Sequence, residues 1–256
     1  RVVAQSVTPD VTNADVSSTA ITAVGRAGDY VLSVALTIPG AVTKDAVSTL
    51  DTLWRAQAAK LVGYLQKPPG VSNPAVVLHW GGVDGWKEDR LRIASEIMKA
   101  GLASFTIDMP GSGENPVLYG DPLAEKTYFA WLDYLPTRTD IDGKSVAVWG
   151  GSFGAYWAAR LAFTAKDRIK GAVFHGGNVH YGFQKEWLVP AFTTGGATYL
   201  FGAQSLLDAR GRAMGVKTVD DFLEAVAPLS LKTMGLLDKP SAPLLGVNGK
   251  LDDQAP

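Results

Sequence analysis

Ser152 sits in Gly150-Gly151-Ser152-Phe153-Gly154, with a glycine two residues before it and another two after. The run Ser145-Val146-Ala147-Val148-Trp149 before it is apolar and reads as a strand. The run behind it, with Tyr156, Ala159, Arg160 and Phe163, reads as a helix. A serine on so sharp a strand-to-helix turn has its hydroxyl held clear of the sheet. Glycine on both sides removes the Cβ atoms that the turn would crowd. The helix N-terminus points backbone N–H groups at any oxyanion formed there. That is the chemistry of a hydroxyl attacking a carbonyl. The same spacing also fits a glycine-rich turn around a buried serine, so the setting decides.

A second glycine-rich loop, Gly81-Gly82-Val83-Asp84-Gly85, follows the apolar run Ala75–Trp80. It is expected to supply a second oxyanion donor beside the Phe153 N–H, from Val83 in preference to Gly82. The acid is expected in Asn248-Gly249-Lys250-Leu251-Asp252-Asp253-Gln254-Ala255-Pro256, where a strand-end carboxylate would orient the imidazole of a base. Asp252 fits that spacing better than Asp253. There are three histidines. His79 lies inside an apolar strand and reads as a core residue. His175, at a strand end beside the site, reads first as a substrate contact and only secondarily as the base. His180 reads as peripheral. Asp108, in Asp108-Met109-Pro110-Gly111-Ser112-Gly113, reads as a carboxylate tying neighbouring loops. Glu88 and Asp89 open a helix and suit its dipole.

These residues need a frame. Strand-like runs at Lys60–Gln66, Ala75–Trp80, Ala103–Ile107, Ser145–Trp149, Ile169–Phe174 and Pro243–Val247 alternate with helical stretches at Lys87–Ala100, Asp121–Leu135 and beyond the elbow. Such alternation predicts an α/β fold, a doubly wound and mostly parallel sheet. In that architecture the chemistry gathers at the carboxyl ends of the strands. Gly81-Gly82, Asp108, Ser152, His175 and Asp252 all fall there. Tyr181 to about Leu237 reads as mostly helical and carries Tyr181, Phe183, Trp187, Phe192, Tyr199 and Phe201, an apolar surface for a substrate or simply the core of that segment. Residues 1 to about 55 are the least regular. Tyr30–Ile38 reads as a strand or a buried helical turn, and Ala41–Ala59 has helical spacing.

Composition removes several classes. With 24 basic and 25 acidic residues the net charge is −1, which gives no footprint for nucleic acid or anionic lipid. No apolar run has the length of a membrane span. The absence of cysteine removes disulfides, thiolate metal sites and a cysteine nucleophile. The chain opens on Arg1, consistent with processing. A cytoplasmic location is expected, with secretion behind a removed signal peptide as the alternative.

From about Lys60 to Pro256 the chain resembles the α/β-hydrolase superfamily. Trp80-Gly81-Gly82-Val83-Asp84-Gly85-Trp86-Lys87-Glu88-Asp89 and Asp108-Met109-Pro110-Gly111-Ser112-Gly113-Glu114 resemble the FrsA-like esterase group, itself similar to the 2,6-dihydroxypseudooxynicotine hydrolases and the polyketide-shortening hydrolases. The resemblance implies an α/β-hydrolase fold with a helical N-terminal region and a helical cap. On this chain that gives an N-terminal extension at 1–57, a first part of the core at 58–177, a cap at 178–240 and a second part of the core at 241–256. It implies hydrolysis of an ester or a ketone-adjacent C–C bond, without metal or organic cofactor; the aromatics from Tyr181 to Phe201 point to an apolar or aromatic small molecule as its substrate. Ser152 and Asp252 match the nucleophile and the acid, Phe153, Val83 and Gly82 the oxyanion hole; His175, Tyr181 and Trp187 are candidate substrate contacts. The triad histidine would follow the acid, and here all three histidines precede it. The fold is therefore expected to continue past Pro256, into a C-terminal remainder carrying the base, and a homodimer stays open. An acyltransferase or cyclase using the same triad, and a noncatalytic binding protein, are the rival readings.

Overall fold

The computed structural model describes residues 18–27, 30–39, 61–118, 120–121, 124–192, 207–208, 210–211 and 214–252. Six of its strands form one sheet in the order β3-β5-β4-β6-β7-β8: β3 (Gly63–Gln66), β4 (Ala75–Trp80), β5 (Ala103–Ile107), β6 (Asp142–Gly151), β7 (Gly171–His175) and β8 (Leu244–Val247). Only β3 runs antiparallel to its neighbour, β5; every other pairing is parallel. The helices between them are α1 (Leu91–Lys99), α2 (Ala124–Tyr134) and α3 (Phe153–Thr164), followed by α4 (Lys185–Phe192) and α5 (Val219–Val226) between β7 and β8. This is the doubly wound, mostly parallel sheet that the alternating pattern predicts.

The alternation of side chains across the sheet explains the core. Val76, Leu78 and Trp80 of β4 stand in register with Val146, Val148 and Gly150 of β6. Both trios point to the face covered by α2 and α3, where Trp80 meets Tyr128 with ring centroids 4.5 Å apart. Trp80, Trp157, Tyr128 and Tyr156 are all fully buried there. A helix as apolar all round as α3 is a buried helix, and eight of its residues are inaccessible. On the opposite face His79 is wholly buried, with Nε2 2.7 Å from Ser104 Oγ and 3.0 Å from Thr106 Oγ1. Burial, together with the charge of Arg90, lowers its pKa to about 3, so it is a neutral core residue, as its place in an apolar strand suggests.

The N-terminal region departs from the helical expectation. Residues 18–39 form an antiparallel pair, β1 (Ser18–Ala27) with β2 (Tyr30–Pro39), in register from Ser18–Pro39 to Ala27–Tyr30. The helical spacing over 41–59 lies outside the described residues. The first turn of the Lys87–Ala100 helix also differs: Lys87–Arg90 is a 3₁₀ turn that leads into α1. Among the described residues β8 is the last strand on the far side of the sheet, with Leu245 59% accessible. Among the described residues no helix is long and apolar enough to cross a membrane.

Candidate active site

The elbow is fixed by close contacts of backbone. A Cβ on Gly150 would collide with the Gly154 carbonyl, and one on Gly154 with the Gly81 carbonyl and the Trp80 ring. Trp80 Nε1 donates to the Gly154 carbonyl at 2.9 Å in the buried interior, so β4 and the first turn of α3 are locked together. Between them Ser152 has φ 54° and ψ −133°, a region that a side chain rarely adopts. Its N–H donates to the His175 carbonyl at 2.9 Å, and its carbonyl accepts from Ala155 N–H at 2.8 Å. The Ser152 side chain is exposed.

Gly82 comes from the end of β4 and lies directly against this serine. A Cβ placed on it would be 2.6 Å from Ser152 Cβ, 2.8 Å from Oγ and 3.2 Å from the Phe153 nitrogen. The glycine there admits the loop to the nucleophile position. Asp252 arrives from beyond β8. Gly176 follows β7 at φ 62°, donates to the Val247 carbonyl at 2.9 Å, and has Asp252 Oδ2 and Asn248 Oδ1 near its Cα. The ends of β4, β6, β7 and β8 thus deliver Gly82-Val83, Ser152-Phe153, Gly176-Gly177 and Asp252 to one place.

That place is a cavity of about 260 Å³. Val83, Ser152, Phe153 and Asp252 line one side; Phe183, Trp187, Leu188, Phe192, Phe222 and Val226 line the other. The apolar wall is built by α4 and α5, whose Phe192 and Phe222 rings meet edge-on at 4.9 Å. The structure brings together Ser152, Phe153, Val83, Asp252 and Trp187. It leaves His175 and Tyr181 outside the cavity lining. The His175 side chain is exposed, its ring 6.2 Å from that of Trp149, and Tyr181 is half exposed. Tyr199 and Phe201 lie outside the described residues. His180 Nδ1 is 2.7 Å from Ser230 Oγ, closing the base of the segment where Leu231 N–H donates to the Val179 carbonyl at 2.8 Å.

Several lining residues are not singled out by the sequence, among them Phe222, Val226 and Arg210. Phe222 and Val226 are four apart on an amphipathic helix capped by Thr218, whose hydroxyl accepts from Asp221 N–H at 3.1 Å; that signal was available. Arg210, 126 positions from its carboxylate partner Asp84, gave none.

Asp108 is placed as a tie between loops. Its carboxylate accepts from Lys87 N–H and Nζ, both at 2.8 Å, and from Glu114 N–H at 2.9 Å. Lys87 also reaches Glu88 and Glu114. Burial opposes the charge on Lys87, but the hydrogen bonds to Asp108 and Glu114 outweigh it and hold the ammonium above its ordinary range.

Comparison with known proteins then decides the family. The family described as "Esterase FrsA-like" matches residues 40–256. The chain belongs to the FrsA-like esterase family. The esterase FrsA of Photorhabdus laumondii is 28% identical over 193 residues, covering 72% of this chain and 43% of that one. The Vibrio cholerae esterase FrsA is 32% identical over 128 residues, covering 48% and 30%. The chain spans less than half the length of these curated FrsA relatives. Among solved structures, the 2,6-dihydroxy-pseudo-oxynicotine hydrolase has a TM-score of 0.58 at 19% identity, over 80% of this chain and 60% of that one. AbyA5 has a TM-score of 0.56 at 19% identity, over 80% and 68%. At that identity the two structures show the α/β-hydrolase fold that the FrsA-like family shares with them.

Proposed function

We propose that this chain carries the nucleophile, oxyanion hole and acyl pocket of a serine ester hydrolase. The observation that supports it most is the strained, exposed Ser152 opening onto an apolar cavity to which Asp252 is also delivered. Residues 178–240 act as a cap over the sheet. Ser152 Oγ attacks the ester carbonyl carbon as its proton passes to an imidazole. The oxyanion is held by the Phe153 N–H and by an N–H of the Gly82-Val83 loop. Collapse of the tetrahedral adduct breaks the C–O bond, and the imidazolium returns the proton to the leaving alcohol. Water then hydrolyses the acyl-enzyme by the same route. Asp252 orients the imidazole.

The three histidines here suit that role poorly: His79 is buried in the core, His180 is engaged with Ser230, and His175 stands outside the cavity lining. We assign the base to a C-terminal remainder of the same gene product. The similarity to esterases favours an ester over a C–C bond, and the aromatic wall favours an aromatic or apolar acyl group.

Two measurements on the intact gene product test the reading. Rapid mixing with a chromogenic aromatic ester should give a burst of about one equivalent of alcohol per enzyme before steady turnover. Turnover without a burst, quenched by a chelator, would replace the acyl-enzyme by another mechanism. Gly82→Ala should lower kcat about 10²-fold or more, since the added methyl displaces the loop from the serine and with it an oxyanion donor. A kcat within twofold of wild type would remove this loop from the oxyanion hole.

A further inference from the structure

We infer that the ion pair between Arg210 of the cap and Asp84 of the loop after β4 is a positioning device, through which seating of the cap sets the oxyanion hole. The inference rests on the assignment of Val83 to that hole.

The loop is anchored at its two ends, and Val83 and Asp84 stand between those anchors. Upstream, Gly81 and Gly82 leave β4 beside Ser152. Downstream, the Gly85 carbonyl accepts from Ser112 Oγ at 3.3 Å, Trp86 N–H donates to Asp89 Oδ2 at 2.9 Å, and Lys87 N–H donates to Asp108 at 2.8 Å. Across the turn between Gly82 and Gly85 the backbone hydrogen bond is long, Gly85 N–H to the Gly82 carbonyl at 3.4 Å. With glycine at 81, 82 and 85, the backbone around Val83 has little stiffness of its own. Asp84 is the residue next to Val83. Its two carboxylate oxygens accept from Arg210 Nη1 at 3.0 Å and Nη2 at 2.8 Å, a two-point fork that fixes direction as well as distance. Arg210 and Val83 both line the cavity with Ser152. The cap therefore holds the residue adjoining the proposed donor from across the cavity.

Energetics separates this role from a merely structural one. Asp84 is 75% exposed, and an exposed pair of this kind contributes little to global stability. An oxyanion donor, by contrast, loses most of its worth when displaced by about 1 Å. Loss of the pair should thus be felt in catalysis and in the local mobility of the loop, and hardly in unfolding. Because the loop is reached through the cap, substrates that disturb cap seating should show the same defect in wild type.

Three variants of the intact protein test it: Arg210→Gln, Asp84→Asn and the exchange Asp84→Arg with Arg210→Asp. Hydrogen exchange of the Gly82–Gly85 amides is the primary readout, with Ser152→Ala as the control. The expected result is exchange at least fivefold faster in both single variants, wild-type exchange in Ser152→Ala, and substantial recovery in the double exchange. In turnover, each single variant should lose about tenfold in kcat with KM within twofold and an unshifted pH profile, and the double exchange should regain most of it. Unchanged amide exchange in Arg210→Gln would overturn the inference whatever the activity. Faster exchange with unchanged kcat would keep the tether but remove its link to catalysis, overturning the positioning role. Faster exchange in a protein with no turnover at all would instead leave the tether standing and count against the hydrolase reading.

Discussion

Ser152→Ala should lower kcat/KM by roughly 10⁴- to 10⁶-fold in the intact gene product, with a melting temperature essentially that of wild type. The rate loss follows from removing the attacking atom: no other hydroxyl among the described residues is delivered to the cavity by the elbow. The small stability change follows from the geometry. The Ser152 side chain is exposed, so its hydroxyl has no buried partner to abandon. Alanine at φ 54° is strained as serine is, so the backbone cost of the turn stays. Exposed substitutions of this type usually change stability by less than about 0.5 kcal/mol. Circular dichroism melts and ester turnover on one preparation would check both halves. A retained rate would end the nucleophile assignment. A lost rate with a collapsed melt would mean that the hydroxyl supports the fold.

The opposite pattern is expected at Asp108. Asp108→Ala should cost about 3–5 kcal/mol of stability, a fall of roughly 10 °C in Tm for a domain of this size. The side chains of Lys87 and Asp108 are each only 2% exposed, so removing the carboxylate leaves an ammonium buried without its best partner. It also strips the acceptor from the N–H groups of Lys87 and Glu114. Glu88 and Glu114 also contact Lys87 and keep the loss toward the lower end. Asp108→Asn, which keeps an acceptor but not the charge, should fall between. Denaturant melts check the magnitude. If Asp108→Ala abolished turnover without moving the melt, this carboxylate would belong to the chemistry and the loop-tie account would be wrong.

What could be read in the sequence divides along physical lines. The elbow was legible because it is local: a strand, two glycines and a helix within about twenty residues, and the structure shows why each glycine is needed. The parallel sheet was legible from its apolar runs, of which β5 is buried throughout and β4 largely so, while β8 is exposed. The β1–β2 pair was half missed, although Gly28-Asp29 between two β-prone runs is itself a hairpin signature. Its first strand, Ser18–Ala27, is rich in small residues and shows no sustained apolar alternation. The 3₁₀ turn at Lys87–Arg90 was not legible, because helical spacing does not separate i→i−3 from i→i−4 bonding; here Asp89 N–H donates to the Trp86 carbonyl at 3.1 Å. The cavity wall was half legible. Aromatics on one helix can be read by spacing, whereas the approach of Arg210 to Asp84 depends on how the segment between β7 and β8 folds. Long-range ion pairs leave no period in a sequence.

The central claim is that Ser152 is the nucleophile, and covalent capture tests it most directly. The intact gene product should be incubated with a serine-directed aryl phosphonate and digested, and the adduct located by mass spectrometry. The account predicts one phosphonyl group per chain, on the peptide containing Ser152, and none in Ser152→Ala. An active preparation that takes up no phosphonate, or takes it up on another residue while Ser152 stays unmodified, would contradict it.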